Sequence, residues 1–158
     1  VLIGGLGMGF TLAAALAALG DDAQVTVAEL VPEVEVWNRG PLGSAAGNPL
    51  DDPRARVHIG DVAELLRSST DEWDAILLDV DNGPEGLTRK ENNWIYSPEG
   101  IAAAQKALSA DGILAYWSAG QEHAFTERLR RAGFSVEPVT VRALRPGKGA
   151  RHVIWLAW

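Results

Sequence analysis

Cysteine is absent from the 158 residues, which excludes disulfides, thiolate metal ligands and a cysteine nucleophile. Histidine is scarce. His58, His123 and His152 are too scattered to propose a metal site, and His58 reads as a packed or hydrogen-bonded strand residue. No apolar run approaches the roughly 20 residues that span a bilayer, so no membrane partner is expected and a cytoplasmic location is the default. Basic residues are outnumbered by acidic ones, 14 to 21, and a net charge of −7 argues against a nucleic-acid partner. Arg128, Arg130 and Arg131 read as the solvated face of a helix, while Arg142, Arg145, Lys148 and Arg151 gather about a Pro-Gly loop. There is also no Gly-Lys-Ser/Thr of a P-loop, which removes phosphoryl transfer on that pattern.

What is present is an alternation of apolar strands and helices. Strand patterns fall at 1–4, 24–29, 55–59, 73–79, 112–118, 134–142 and 152–158, and helical ones at 9–19, 31–39, 61–67, 97–108 and 121–132. Near-continuous apolar strands separated by helices predict an α/β fold whose parallel sheet is covered on both faces. Only the loop 145–150 separates the last two strands, so they are expected to form an antiparallel hairpin at the sheet edge. The exposed final strand would then offer an edge through which a homodimer could pair. The loops 40–54 and 80–96 are long, rich in Gly, Pro, Asn and Asp, and are expected to shape a pocket. The chain opens at Val1, inside the first strand pattern, which predicts a missing upstream segment; residues 1–158 are read as a single domain.

Chemistry in open α/β sheets gathers outside the carboxyl ends of the strands. The first strand runs into Gly4, Gly5, Gly7 and Gly9 and then a helix, so a ligand can lie against main-chain N–H groups at a helix N-terminus. The second ends in Glu29, twenty residues past Gly9, a spacing at which an acid reaches ribose hydroxyls. The third is followed by Gly60-Asp61, where Asp61 can equally cap the next helix. Asp79 ends the fourth, followed by Val80-Asp81-Asn82-Gly83-Pro84. The glycine spacing differs from G-x-G-x-x-G, which counts against a nicotinamide-dependent dehydrogenase.

In this order, Gly5-Leu-Gly7-Met-Gly9, Glu29, Gly60-Asp61 and Asp79 resemble the nucleoside-site motifs of class I S-adenosylmethionine-dependent methyltransferase folds. Ile3-Gly4-Gly5, Gly60-Asp61 and Trp73-Asp-Ala-Ile-Leu-Leu-Asp79 leading to Gly83-Pro84 are most similar to spermidine synthase-like proteins; Leu87 and Trp94-Ile-Tyr96 extend the match. The resemblance implies a Rossmann-like, mostly parallel seven-stranded sheet with a C-terminal antiparallel hairpin. It implies a transferase whose co-substrate is S-adenosylmethionine or its decarboxylated form, with a small-molecule amine as acceptor and no metal. Gly5, Gly7 and Gly9 would lie along the tail and ribose, Glu29 would hold the ribose hydroxyls, and Gly60-Asp61 the adenine. Asp79, with Asp81 in place of a second acid, would face the transferred group, and Trp94 or Tyr96 would wall the pocket. Gly7 stands where aminopropyltransferases typically carry an aspartate (G-G-G-D-G-G), and the acid loop is shorter than their D-S-S-D-P-x-G-P. Aminopropyl transfer to an amine is the leading expectation. A small-molecule methyltransferase and a catalytically silent nucleoside-binding or dimerisation module are the alternatives.

Overall fold

A computed structural model describes residues 1–80, 94–120, 122–142 and 149–158. They fall into two compact units, Val1–Leu65 and Leu66–Trp158. The predicted Asp81, Gly83-Pro84 and Leu87, and the loop cations Arg145 and Lys148, lie outside the described residues.

The first unit carries β1 (Leu2–Gly4), α1 (Phe10–Ala18), β2 (Val25–Glu29), α2 (Pro32–Asn38) and β3 (Ala55–Ile59), and ends within α3 (Val62–Ser68). Its strands are parallel in the order β3-β2-β1, with Ile3 opposite Val27 and Val27 opposite Val57. Leu2, Ile3, Val25 and Val27 are fully buried, as expected of parallel strands without a solvent face. The Ala/Leu composition of α1 favours helix, and Leu12 and Leu16, one turn apart, bury the same stripe. Pro32 starts α2, where its missing N–H costs no hydrogen bond. Arg54 closes the far end of α1: its guanidinium donates to the carbonyls of Leu16, Leu19 and Gly20 at 2.9–3.0 Å and pairs with Asp52 at 2.8 Å.

The second unit holds β4 (Trp73–Leu78), α4 (Pro98–Ala107), β5 (Leu108–Ser118), α5 (His123–Arg131), β6 (Val136–Arg142) and β7 (Arg151–Ala157). β4 and β5 are parallel, whereas β7 is antiparallel to both β5 and β6. The seven strands therefore form the mostly parallel sheet with an antiparallel C-terminal hairpin that the sequence predicts. Two details differ from expectation. The edge is β6, not the final strand: β7 lies between β5 and β6, and Pro138 on β6 withholds a ladder donor. β5 also starts four residues early. The β4–β5 register jumps from Trp73–Leu108 to Ala75–Ile113, so Leu108 already pairs and Ser109-Ala-Asp-Gly112 bulge out before the ladder resumes. A side chain at Gly112 would meet the Ser109 and Trp73 carbonyls at 3.0 Å, so the irregularity requires glycine there.

Among the described residues no helix is long and apolar enough to cross a membrane.

Candidate functional site

In the first unit the strand register brings three chain turns side by side. Gly4 lies opposite Ala28, and Glu29 opposite Ile59, so the turns after β1, β2 and β3 are neighbours. Two backbone bonds carry this adjacency past the strands: Gly5 N–H to the Ala28 carbonyl at 2.8 Å and Gly60 N–H to the Glu29 carbonyl at 2.9 Å. Gly5, Gly7, Gly9, Glu29, Gly60 and Asp61 are thus gathered at one end of one three-stranded ladder.

Glu29 is the buried acid of this end. Its Oε2 accepts from the Leu6 N–H at 3.0 Å and its Oε1 from the Val31 N–H at 2.9 Å. Each oxygen keeps a second lone pair, so the carboxylate can accept two further hydroxyl donors without giving up either backbone bond. Gly7 and Gly9 both hold positive φ, +51° and +79°, but for different surroundings. A Cβ on Gly7 would meet nothing within 4 Å, whereas one on Gly9 would meet Asn38 Oδ1 at 3.0 Å and Pro49 Cγ at 3.1 Å. Gly7 keeps a space open; Gly9 allows a close approach. Gly9 is also the first flanking residue of α1 and brings no side chain to cap it.

Asp61 is half-buried and caps α3, its Oδ1 accepting from the Ala63 N–H at 2.9 Å, while no described residue engages Oδ2. The helix-cap reading and the ligand reading are therefore compatible: one oxygen serves each. Gly60 is confined by His58, whose Nε2 would lie 2.8 Å from a Cβ there. That His58 nitrogen is buried with no partner among the described residues.

In the second unit Asp79 directly follows β4 and is exposed. Tyr96 is 2% exposed and donates its hydroxyl to the Val80 carbonyl at 3.1 Å, so it holds the chain next to Asp79 from within the core. The Tyr96 ring packs on Tyr116 and Phe125, and Phe125 on Trp155, at centroid separations of 5.0–5.6 Å. Burial, and then the neighbouring Tyr96, raise the Tyr116 phenol far above the ordinary tyrosine range; protonated, it donates to the Ile95 carbonyl at 2.9 Å. Arg128 donates to the Tyr96 carbonyl at 2.7 Å. Two adjacent residues of the return segment are therefore held by their carbonyls. One face of Trp94 is taken by the Arg67 guanidinium, 3.9 Å from the ring centroid.

Sequence reasoning missed Asn38. It sits in the last turn of α2, is 1% exposed, and donates its Nδ2 to the carbonyl of Gly7 at 2.8 Å and of Val34 at 2.9 Å. An asparagine ending a helix reads as an ordinary stop signal, so its reach across 31 residues had no local trace. The loop 40–54 packs Pro49 and Ala46 toward Gly9, which makes this part of it a support for the glycine turn.

Comparison with known proteins places these residues in context. Residues 21–131 match the model of the spermine/spermidine synthase domain. The chain is 30% identical over 114 residues to polyamine aminopropyltransferase 2 of Bacillus cereus, an alignment covering 66% of this chain and 29% of that protein. Its fold is similar to that of the solved spermidine synthase of Thermotoga maritima, with TM-score 0.75 and 21% identity over 99% of this chain and 51% of that one. It is also similar to a precorrin-6y C5,15-methyltransferase of Geobacter metallireducens, with TM-score 0.64 and 18% identity over 100% of this chain and 78% of that one. The chain thus spans about half of the solved spermidine synthase and less than a third of the curated relative. These likenesses accord with the Rossmann-like methyltransferase fold.

Proposed function

The chain belongs to the spermine/spermidine synthase domain family, and from that premise we propose that it transfers an aminopropyl group from decarboxylated S-adenosylmethionine to a small amine. Glu29 accepts the ribose hydroxyls, the Gly5–Gly9 turn lies under the tail, and Asp61 accepts the adenine amino group through its second oxygen. Asp79 orients the acceptor ammonium and takes its proton. The neutral nitrogen then attacks the aminopropyl carbon bonded to the sulfonium. As the new C–N bond forms, the C–S bond breaks and its electron pair stays on sulfur, leaving a neutral thioether, methylthioadenosine. Tyr96 serves by fixing Val80, beside Asp79, and Asp81 supplies a second carboxylate for the amine.

The observation that carries this reading is the buried Glu29 carboxylate, anchored by Leu6 and Val31 and flanked by a glycine with open space above it. The test is thermal stabilisation by decarboxylated S-adenosylmethionine, S-adenosylmethionine, methylthioadenosine and NAD. A ligand at about 100 times its dissociation constant adds roughly 2.7 kcal/mol, several degrees for this size. The largest shift is expected with the decarboxylated form. A preference for S-adenosylmethionine would move the assignment to methyl transfer, and no adenosyl shift would leave only a silent module.

A further inference from the structure

We propose that Asn38 is the positioning residue that fixes the glycine turn for the co-substrate's tail, an inference that rests on the nucleoside reading of this end of the sheet. Asn38 is almost fully buried, yet its Oδ1 has no partner among the described residues. A buried polar atom without a partner lowers stability, and an apolar side chain of similar size would avoid that loss. Stability alone therefore does not account for an amide at this position. The other half of the amide supplies the reason. Nδ2 bridges the Gly7 carbonyl and the Val34 carbonyl of α2, tying the middle of the β1–α1 turn to a neighbouring helix.

The geometry on either side of Gly7 supports the same role. Gly7 has open space where a side chain would stand, so no packing of its own holds it at φ +51°. Gly9, two residues on, has no such room: a Cβ there would meet Asn38 Oδ1 at 3.0 Å and Pro49 Cγ at 3.1 Å. The Gly9 N–H closes the turn on the Leu6 carbonyl at 2.8 Å, and Asn38 is the side chain that holds Gly7 within it by the carbonyl, leaving the open side for the tail. Adenine and ribose contacts at Asp61 and Glu29 do not pass through Asn38, so the effect of losing it separates by ligand.

The experiment compares the affinities of wild type and Asn38→Leu for decarboxylated S-adenosylmethionine and for adenosine, by calorimetry, with melting temperature recorded alongside. Loss of the Gly7 bond is expected to weaken the tail-bearing ligand about tenfold and adenosine less than twofold. Asn38→Ser, whose hydroxyl can donate one bond, is expected to fall between and serves if the leucine variant does not fold. Equal losses for the two ligands, or no loss for either, would overturn the positioning role. Failure of wild type to bind any adenosyl ligand would instead overturn the nucleoside reading itself, and this inference with it.

Discussion

The carboxylate of Glu29 accepts a hydrogen bond from the backbone N–H of Leu6, 23 residues earlier, so the acid that ends β2 also shapes the turn after β1. A single side chain thereby does two jobs, and a variant that keeps its volume separates them. Glu29→Gln presents an amide to two N–H donors, and whichever oxygen becomes nitrogen leaves one donor unpaired. The expected outcome is a stability loss of about 1–3 kcal/mol together with a loss of adenosyl-ligand affinity. Chemical denaturation and calorimetry read the two separately, and full retention of ligand affinity in the folded variant would remove Glu29 from the site.

Gly7 and Gly9 share a left-handed backbone but should respond differently to alanine. At either position the left-handed conformation costs roughly 1–2 kcal/mol for a residue with a Cβ. At Gly9 contacts at 3.0 and 3.1 Å with Asn38 and Pro49 add to that cost, whereas at Gly7 nothing does. Gly9→Ala is therefore expected to lower the melting temperature more than Gly7→Ala does. Gly7→Ala is expected to weaken co-substrate binding with only the smaller stability change. The reverse ranking in a melting experiment would refute this account of the turn.

Asp61 divides its oxygens between α3 and the proposed adenine contact. Asp61→Ala removes the cap, worth about 1 kcal/mol, and should also weaken adenosine ligands. Asp61→Ser keeps a capping oxygen and recovers the stability without necessarily recovering the ligand. Inosine analogues lack the exocyclic amine, so their affinity should change little in either variant. Parallel losses for adenosine and inosine would mean that Asp61 acts only as a cap.

Much of this was legible in the sequence because it depends on local pattern. The run at 24–29 is a strand buried between β1 and β3, the run at 55–59 pairs with it at the edge, and Glu29 and Gly60-Asp61 fall at their carboxyl ends by position alone. What was not legible depends on long-range closure. Leu108 lies ahead of the predicted strand, and only its pairing with Trp73 brings it into β5, with Ser109-Ala-Asp-Gly112 bulging out before the ladder resumes. The hairpin was read correctly, yet only pairing with β5 decides that β7 is internal and β6 is the edge. Asn38 escaped for the same reason: its partner, Gly7, lies on another element.

The Asp52–Arg54 pair predicts a pH dependence of stability away from the site. The Arg54 side chain, and then its backbone N–H, lower the Asp52 carboxyl from its ordinary 3.8 to about 2. A folded-state value below the unfolded one favours the folded protein when the group is ionised. The contribution is thus fully present above about pH 4 and fades as pH falls toward 2. The stability difference between wild type and Asp52→Asn should be constant near neutrality and shrink below about pH 4. A difference that stays flat from pH 6 to pH 3 (roughly the range open to denaturant melts) would show that Asp52 acts only through its shape.

Asp79 is the residue on which the proposed chemistry turns. It stands at the carboxyl end of β4, where open α/β sheets place their reacting groups, and Tyr96 holds the next residue by its carbonyl. Asp79→Asn keeps the size and some hydrogen bonding but can neither balance an ammonium nor take its proton. Transfer is therefore expected to fall by about 10²–10⁴-fold, the usual span for a lost general base, with co-substrate affinity within a few-fold of wild type. Tyr96→Phe should act more mildly, because it frees the Val80 carbonyl without touching the acid. Single-turnover rates alongside equilibrium binding distinguish these cases. If Asp79→Asn loses binding and turnover equally, the acid belongs to the co-substrate rather than to the amine.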